Sequence, residues 1–169
     1  MESLKQWVPS DVCLSCDGCC RFKEADSPWR PKLSAEDKTK GLAEKIFSPE
    51  KVDAGGALVT VPCHGMHVCT FFKVDDNSCK IYRNRPFECE LYPFILSRHD
   101  GRPAVYVHLN CPHVQQNRPG SRFDTHVEYL KGYFHDDSVL NFLKRNSSLI
   151  SDYTQFQNEL EYLFTLAIL

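Results

Sequence analysis

The sequence predicts a small α+β fold, a cysteine-rich core of short strands joined to a helical C-terminal third. Three observations carry that expectation. Nine cysteines occur in 169 residues, all of them before Pro112. Short β-type runs bounded by Gly, Pro or Asp-Asn turns fill the middle of the chain. From Ser121 onward the apolar residues recur at helical spacing and cysteine disappears. With 42% hydrophobic and 25% charged residues, the chain is long enough for one domain with its own core. The expectation is a single domain over 1–169, with a cysteine-cluster core over 10–115 and a helical extension over 121–169.

The elements follow in order. Trp7 and Val8 read as an anchor ahead of the first cysteines. Arg21 to Lys32 is polar, contains Pro28 and Pro31, and should be irregular. Ser34 followed by Glu36 and Asp37 marks a helix start, with an acidic first turn that suits the helix dipole. Leu42, Ala43, Ile46 and Phe47 supply one apolar face, and Ser48-Pro49 ends a helix placed over about 35–47. Gly55-Gly56 is a turn, and Ala57 to Val61 is a β-type run that Pro62 should end. Phe71-Phe72 and Lys80 to Tyr82 flank a polar turn and suggest a short hairpin, while Ala104 to Leu109 is the strongest strand signal. Phe123, Val127, Leu130 and Phe134 share a helical face, Val139 to Lys144 suggests a short helix, and Tyr153, Phe156, Leu160, Phe164 and Ala167 form an apolar stripe.

The chemistry is concentrated in Cys13-Leu-Ser-Cys16-Asp-Gly-Cys19-Cys20. Met1 to Trp7 lacks a basic region followed by an apolar run, so it does not read as a signal peptide, and the expected location is cytoplasmic. Thiols at short spacing in a reducing compartment point to metal ligation or redox chemistry before a disulfide framework. Cys13, Cys16 and Cys19 form a CxxCxxC run of the kind that holds iron–sulfur clusters, and Cys111-Pro112 supplies a remote Cys-Pro. Short cysteine spacings also serve zinc. Adjacent side chains diverge, so Cys20 belongs to a second centre, bridges two metals, stays available for redox work, or is a small buried hydrophobe.

Cys69, Cys79, Cys89 and Cys111 bring the set to eight, enough for two four-thiolate sites. Two divalent ions on eight thiolates leave four uncompensated negative charges, which Arg21, Lys80, Arg83 and Arg85 are placed in sequence to offset. Cys63-His64-Gly-Met-His67-Val-Cys69 is a second place to look for ligands, since imidazole also binds zinc and iron. Of His99, His108, His113, His126 and His135, His113 lies nearest a cysteine in sequence. A net charge of −2 gives no polyanion-binding signature. No apolar run approaches the roughly 20 residues needed to span a bilayer. Nucleic acid and membrane are therefore not expected as partners. The chain has no Gly-rich phosphate loop, GxGxxG, HExxH or GxSxG.

The run Cys13 to Cys20 in the form CxxCxxCC, then Cys69-Thr-Phe-Phe, Asn77-Ser-Cys79-Lys-Ile-Tyr82, Arg85-Pro86-x-x-Cys89 and Tyr92-Pro93-Phe94, resembles the YkgJ-type cysteine-cluster family. That family is associated with zinc or iron chelation and includes flagellin lysine N-methylases. The resemblance covers about residues 10–115 and implies that Cys13, Cys16, Cys19, Cys20, Cys69, Cys79, Cys89 and Cys111 are the metal ligands, with Cys63 extra. Two departures, Asp17 followed by Gly18 and Glu90 after Cys89, make the surroundings less positive than the family pattern implies.

Two functional expectations result. The first is a metal-binding protein holding an iron–sulfur cluster or zinc, with the CxxCxxC run favouring iron–sulfur, in a structural or electron-transfer role. The second is a small methyltransferase-like or redox enzyme in which Cys20 or Cys63 is not a permanent ligand. The apolar stripe from Tyr153 to Ala167 leaves room for a protein partner on the C-terminal helices, or else packs on the core.

Overall fold

The computed structural model describes residues 3–16 and 18–167. Asp17, one of the two departures, lies outside them. The fold is α+β, with small antiparallel sheets and helices concentrated in the C-terminal part. The chain divides into two units, Pro9–Glu90 and Met1–Val8 with Leu91–Leu169.

In the first unit, Pro9 precedes helix α1 (Ser10–Ser15). The central sheet has the order β1 (Arg21–Phe22), β3 (Met66–Cys69), β2 (Thr60–Cys63), all antiparallel. Pro62 does not end β2 but sits inside it, paired with His67. An edge strand tolerates this because an edge N–H is not required for the ladder. A second ribbon pairs β4 (Phe72–Lys73) with β5 (Ser78–Cys79) around the polar turn, so the hairpin is present but its second strand precedes the expected Lys80 to Tyr82, and Tyr82 begins a 3₁₀ turn.

Helix α2 (Ala35–Ala43) begins with a reciprocal cap. Ser34 Oγ accepts the Asp37 N–H at 2.9 Å, and the Asp37 carboxylate accepts the Ser34 N–H at 3.0 Å. The helix ends earlier than the expected boundary because Lys45 adopts a left-handed backbone, φ 55°, and the Ile46 N–H turns back onto the Gly41 carbonyl at 2.9 Å. Phe47 then lies on Gly41, while Leu42, expected on the buried face, is 44% exposed. Leu33, Leu58, Val68, Phe71, Phe72 and Ile81 are the buried centre of this unit, with Cys20, Cys63 and Cys79 packed at its margin. Helix α3 (Phe87–Leu91) follows.

In the second unit, β6 (Phe94–His99) and β7 (Arg102–His108) form a hairpin whose turn, Asp100 and Gly101, has positive φ at both residues, 49° and 76°. Helix α4 (Pro112–Asn117) follows Cys111, α5 (Ser121–Tyr133) presents Phe123 and Leu130 to the core, and α6 (Asp137–Arg145) is capped by the Asp136 carboxylate. Trp7 meets Phe94 and Phe123 edge-on at 5.9 and 5.4 Å, so the expected anchor is present.

The last apolar stripe is not a helix. Thr154–Glu159 is a 3₁₀ turn and Leu160–Thr165 is strand β8, paired with β7 to complete the order β6-β7-β8. Leu160 and Phe164 are four apart, a spacing that helix and strand share, and a bulge at Val105/Tyr106 brings Phe164 opposite Val105. Both residues are buried within this unit. Among the described residues no helix is long and apolar enough to cross a membrane.

Candidate metal centre

Eight of the nine cysteines, all but Cys111, belong to the first unit, and local structure presents each differently. Cys13 lies in α1, and Cys16 follows it in extended backbone, its sulfur accepting the Gly18 N–H at 3.4 Å. The Cys69 N–H donates to the Cys20 carbonyl at 2.9 Å, continuing the pairing of β1 with β3. Cys79 faces Phe72 across the β4–β5 ribbon. Cys89 is on α3, its N–H bonded to the Pro86 carbonyl at 2.9 Å. None of the nine cysteines is in a disulfide.

The thiols sense one another. Burial pushes Cys69 up to about 11, and the nearby Cys79 and Cys19 add to the rise. Burial also raises Cys89 far above the ordinary thiol value, reinforced by Cys69, Cys19, Cys79 and Glu88. Cys13 and Cys79 rise first through burial, with Arg85 opposing in both cases. Cys19 and Cys20 behave as a pair. Cys20 donates its hydrogen to Cys19, which holds Cys19 down as the thiolate and Cys20 up as the thiol. Several buried sulfurs that resist ionisation for want of a counter-charge are sulfurs that a cation would ionise.

Arg85 is the cation already there. Its guanidinium stacks on the Tyr82 ring at 3.9 Å and approaches Cys13 Sγ at 3.8 Å. Arg21 instead reaches Asn77 Oδ1 at 3.1 Å and lies over Phe72, while Lys80 and Arg83 are exposed. Tyr82 was not among the sequence candidates, although it hydrogen-bonds the Cys13 sulfur. Its sequence signal is its place at the end of the Asn77 to Tyr82 motif, three residues before Arg85. Also missed was the support under α3. Glu88 accepts the Lys32 N–H at 2.6 Å, and burial raises its carboxyl to about 7. Asp37 accepts the Phe87 N–H at 3.3 Å.

The remaining candidates are elsewhere. Cys63 stands opposite Met66 at the end of β2. His64 is exposed at the turn, and His67 Nδ1 is buried without a hydrogen-bond partner. In the second unit Cys111 is buried and starts α4, its N–H bonded to the His108 carbonyl at 3.3 Å. His113 packs on Trp7, His126 on Phe94, and His99 on Tyr162. His108 Nδ1 meets the Tyr92 hydroxyl at 3.2 Å, and His135 Nδ1 meets the Lys131 carbonyl. An open groove lined by Leu42, Ile46, Phe47, Pro49 and Phe71 contains no cysteine.

Soft sulfur donors from separate segments suit zinc or iron. Among the described residues, no three His, Cys, Asp or Glu side chains are already grouped so as to hold an ion. The donor chemistry fits, but the closed coordination shell is not preformed.

A family model with the CxxCxxCC signature, described as a putative zinc- or iron-chelating domain, matches residues 12–118. No curated protein and no solved structure matches the chain.

Proposed function

Because the chain belongs to the CxxCxxCC family of zinc- or iron-chelating domains, we propose that Cys13, Cys16, Cys19, Cys20, Cys69, Cys79 and Cys89 bind its metal as thiolates. The observation that carries this reading is the mutual electrostatic influence of these sulfurs within one unit, beside the guanidinium of Arg85. Binding draws the thiols inward by side-chain rotation and releases their protons. Iron–sulfur is the preferred occupant on the CxxCxxC run, zinc the other. The role is structural or electron transfer in a reducing, cytoplasmic setting, where the thiols stay available. Cys111 remains a candidate ligand because the family match extends through it.

Anaerobic preparation, elemental analysis and a visible absorption spectrum test the reading. The expected result is stoichiometric iron with sulfide absorption, or colourless protein with zinc. Removal of the metal should lower the melting temperature by well over 10 °C, because binding energy at such sites is folding energy. Metal content should fall in Cys69→Ser and Cys89→Ser, and the same assay on Cys111→Ser decides its role. Protein that takes up neither metal and melts identically with and without chelator overturns the proposal.

A further inference from the structure

The thiol that the family pattern leaves over, Cys63, stands beside a second soft donor, Met66. The two residues are directly paired across the β2–β3 hairpin. Between them lie only His64 and Gly65, with φ 47° and 78°. Positive φ at both central residues makes this a two-residue type I′ turn, which fixes the register of the flanking pair. Directly opposed residues project from the same face, with Cβ atoms about 4.5–5.5 Å apart. Their sulfurs lie one and two bonds further out, on flexible torsions. Cys63 is half-buried against the unit's core, Met66 is 38% exposed, and His64 is exposed at the tip. β2 is an edge strand, so among the described residues no further strand pairs beyond Cys63.

We propose that Cys63 Sγ and Met66 Sδ form a second metal site, a chelating pair for a soft monovalent ion of the copper(I) class. A thiolate and a thioether are the ligands that select copper(I) over harder ions. Two donors satisfy a monovalent d¹⁰ ion, which accepts two-coordination, and fall short of the four that zinc takes in structural sites. Alternation along β3 places His67 on the opposite face with Pro62 and Phe22, so it is not part of the pair. Binding displaces the Cys63 thiol proton to solvent and changes no oxidation state. The site is independent of the seven-cysteine set.

The chain has only two methionines, so labelling with [methyl-¹³C]methionine gives a two-line spectrum in which Met66→Leu identifies Met66. The full-length, metal-loaded protein is titrated anaerobically with silver(I), a redox-inert stand-in for copper(I). The Met66 methyl should shift, and Cys63→Ser should require at least tenfold more silver(I) for the same shift. Zinc(II) should leave the Met66 line in place. Both variants should retain the metal content of the parent, which separates this site from the cysteine cluster. A Met66 methyl that stays put when silver(I) saturates the protein overturns the proposal. So does an undiminished response in Cys63→Ser, or an equal response to zinc(II).

Discussion

His126 gives the chain an acid sensitivity whose size follows from its surroundings. Its residue is 7% exposed, and the ring stacks on Phe94 at a centroid distance of 5.2 Å. Tyr129 lies 5.2 Å away on its own helix. Burial, with a smaller contribution from the Lys5 charge, lowers the imidazole from the ordinary 6.5 to about 4. The folded protein therefore holds the neutral ring, while the unfolded chain protonates as pH falls through 6.5. Stability is fully present above that value and declines as pH drops. The decline ends below about 4, where the folded ring also takes up a proton. At 1.36 kcal/mol per pK unit the loss is at most about 3 kcal/mol. His126→Phe keeps an aromatic ring in the stack and removes the proton site. Denaturant unfolding of both proteins between pH 7 and 4 should show parent stability falling by about 2–3 kcal/mol more than the variant. Equal pH slopes in the two, or an NMR titration of His126 near 6.5 in the folded protein, would refute the reasoning.

Two further substitutions test the first unit. Gly41→Ala should gain about 1 kcal/mol of helix propensity, but its Cβ would fall 2.0 Å from the Phe47 ring. Overpacking of about 1–3 kcal/mol outweighs that gain, so the melting temperature should fall, Gly41→Ala/Phe47→Leu should recover part of it, and a more stable single variant would contradict the packing. Asp37→Ala removes one half of the α2 capping box, the acceptor for the Ser34 N–H, together with the acceptor for the Phe87 N–H. A cost of about 2–3 kcal/mol by denaturant titration is expected, and a loss below about 0.5 kcal/mol would show that the link between α2 and α3 carries little.

Local chemistry was legible in the sequence where spacing alone determines it. The α2 start could be read from Ser34 and Asp37 because a cap is made by side chains three residues apart. The β4–β5 hairpin and β7 were visible for the same reason, through turn residues and alternating bulk. Leu160 to Thr165 was not, because apolar residues four apart satisfy both periods and only the open edge of β7 decides for a strand. The α2 end failed at Lys45, where a left-handed residue without a glycine gives no sequence warning. Pro62 misled in the opposite direction, since whether it breaks a strand depends on which neighbour that strand has.

The same division runs through the site. Cysteine spacing marks the candidate donors, but what surrounds them depends on residues far apart in sequence. Of the four basic residues near cysteines in the chain, Arg85 approaches the Cys13 sulfur at 3.8 Å, with the Tyr82 ring against its guanidinium. Ionising several buried thiols around one arginine is unfavourable without a cation, and ionising them around a divalent ion or a cationic cluster is not. On the proposed reading, a bound metal is the species that balances these sulfurs.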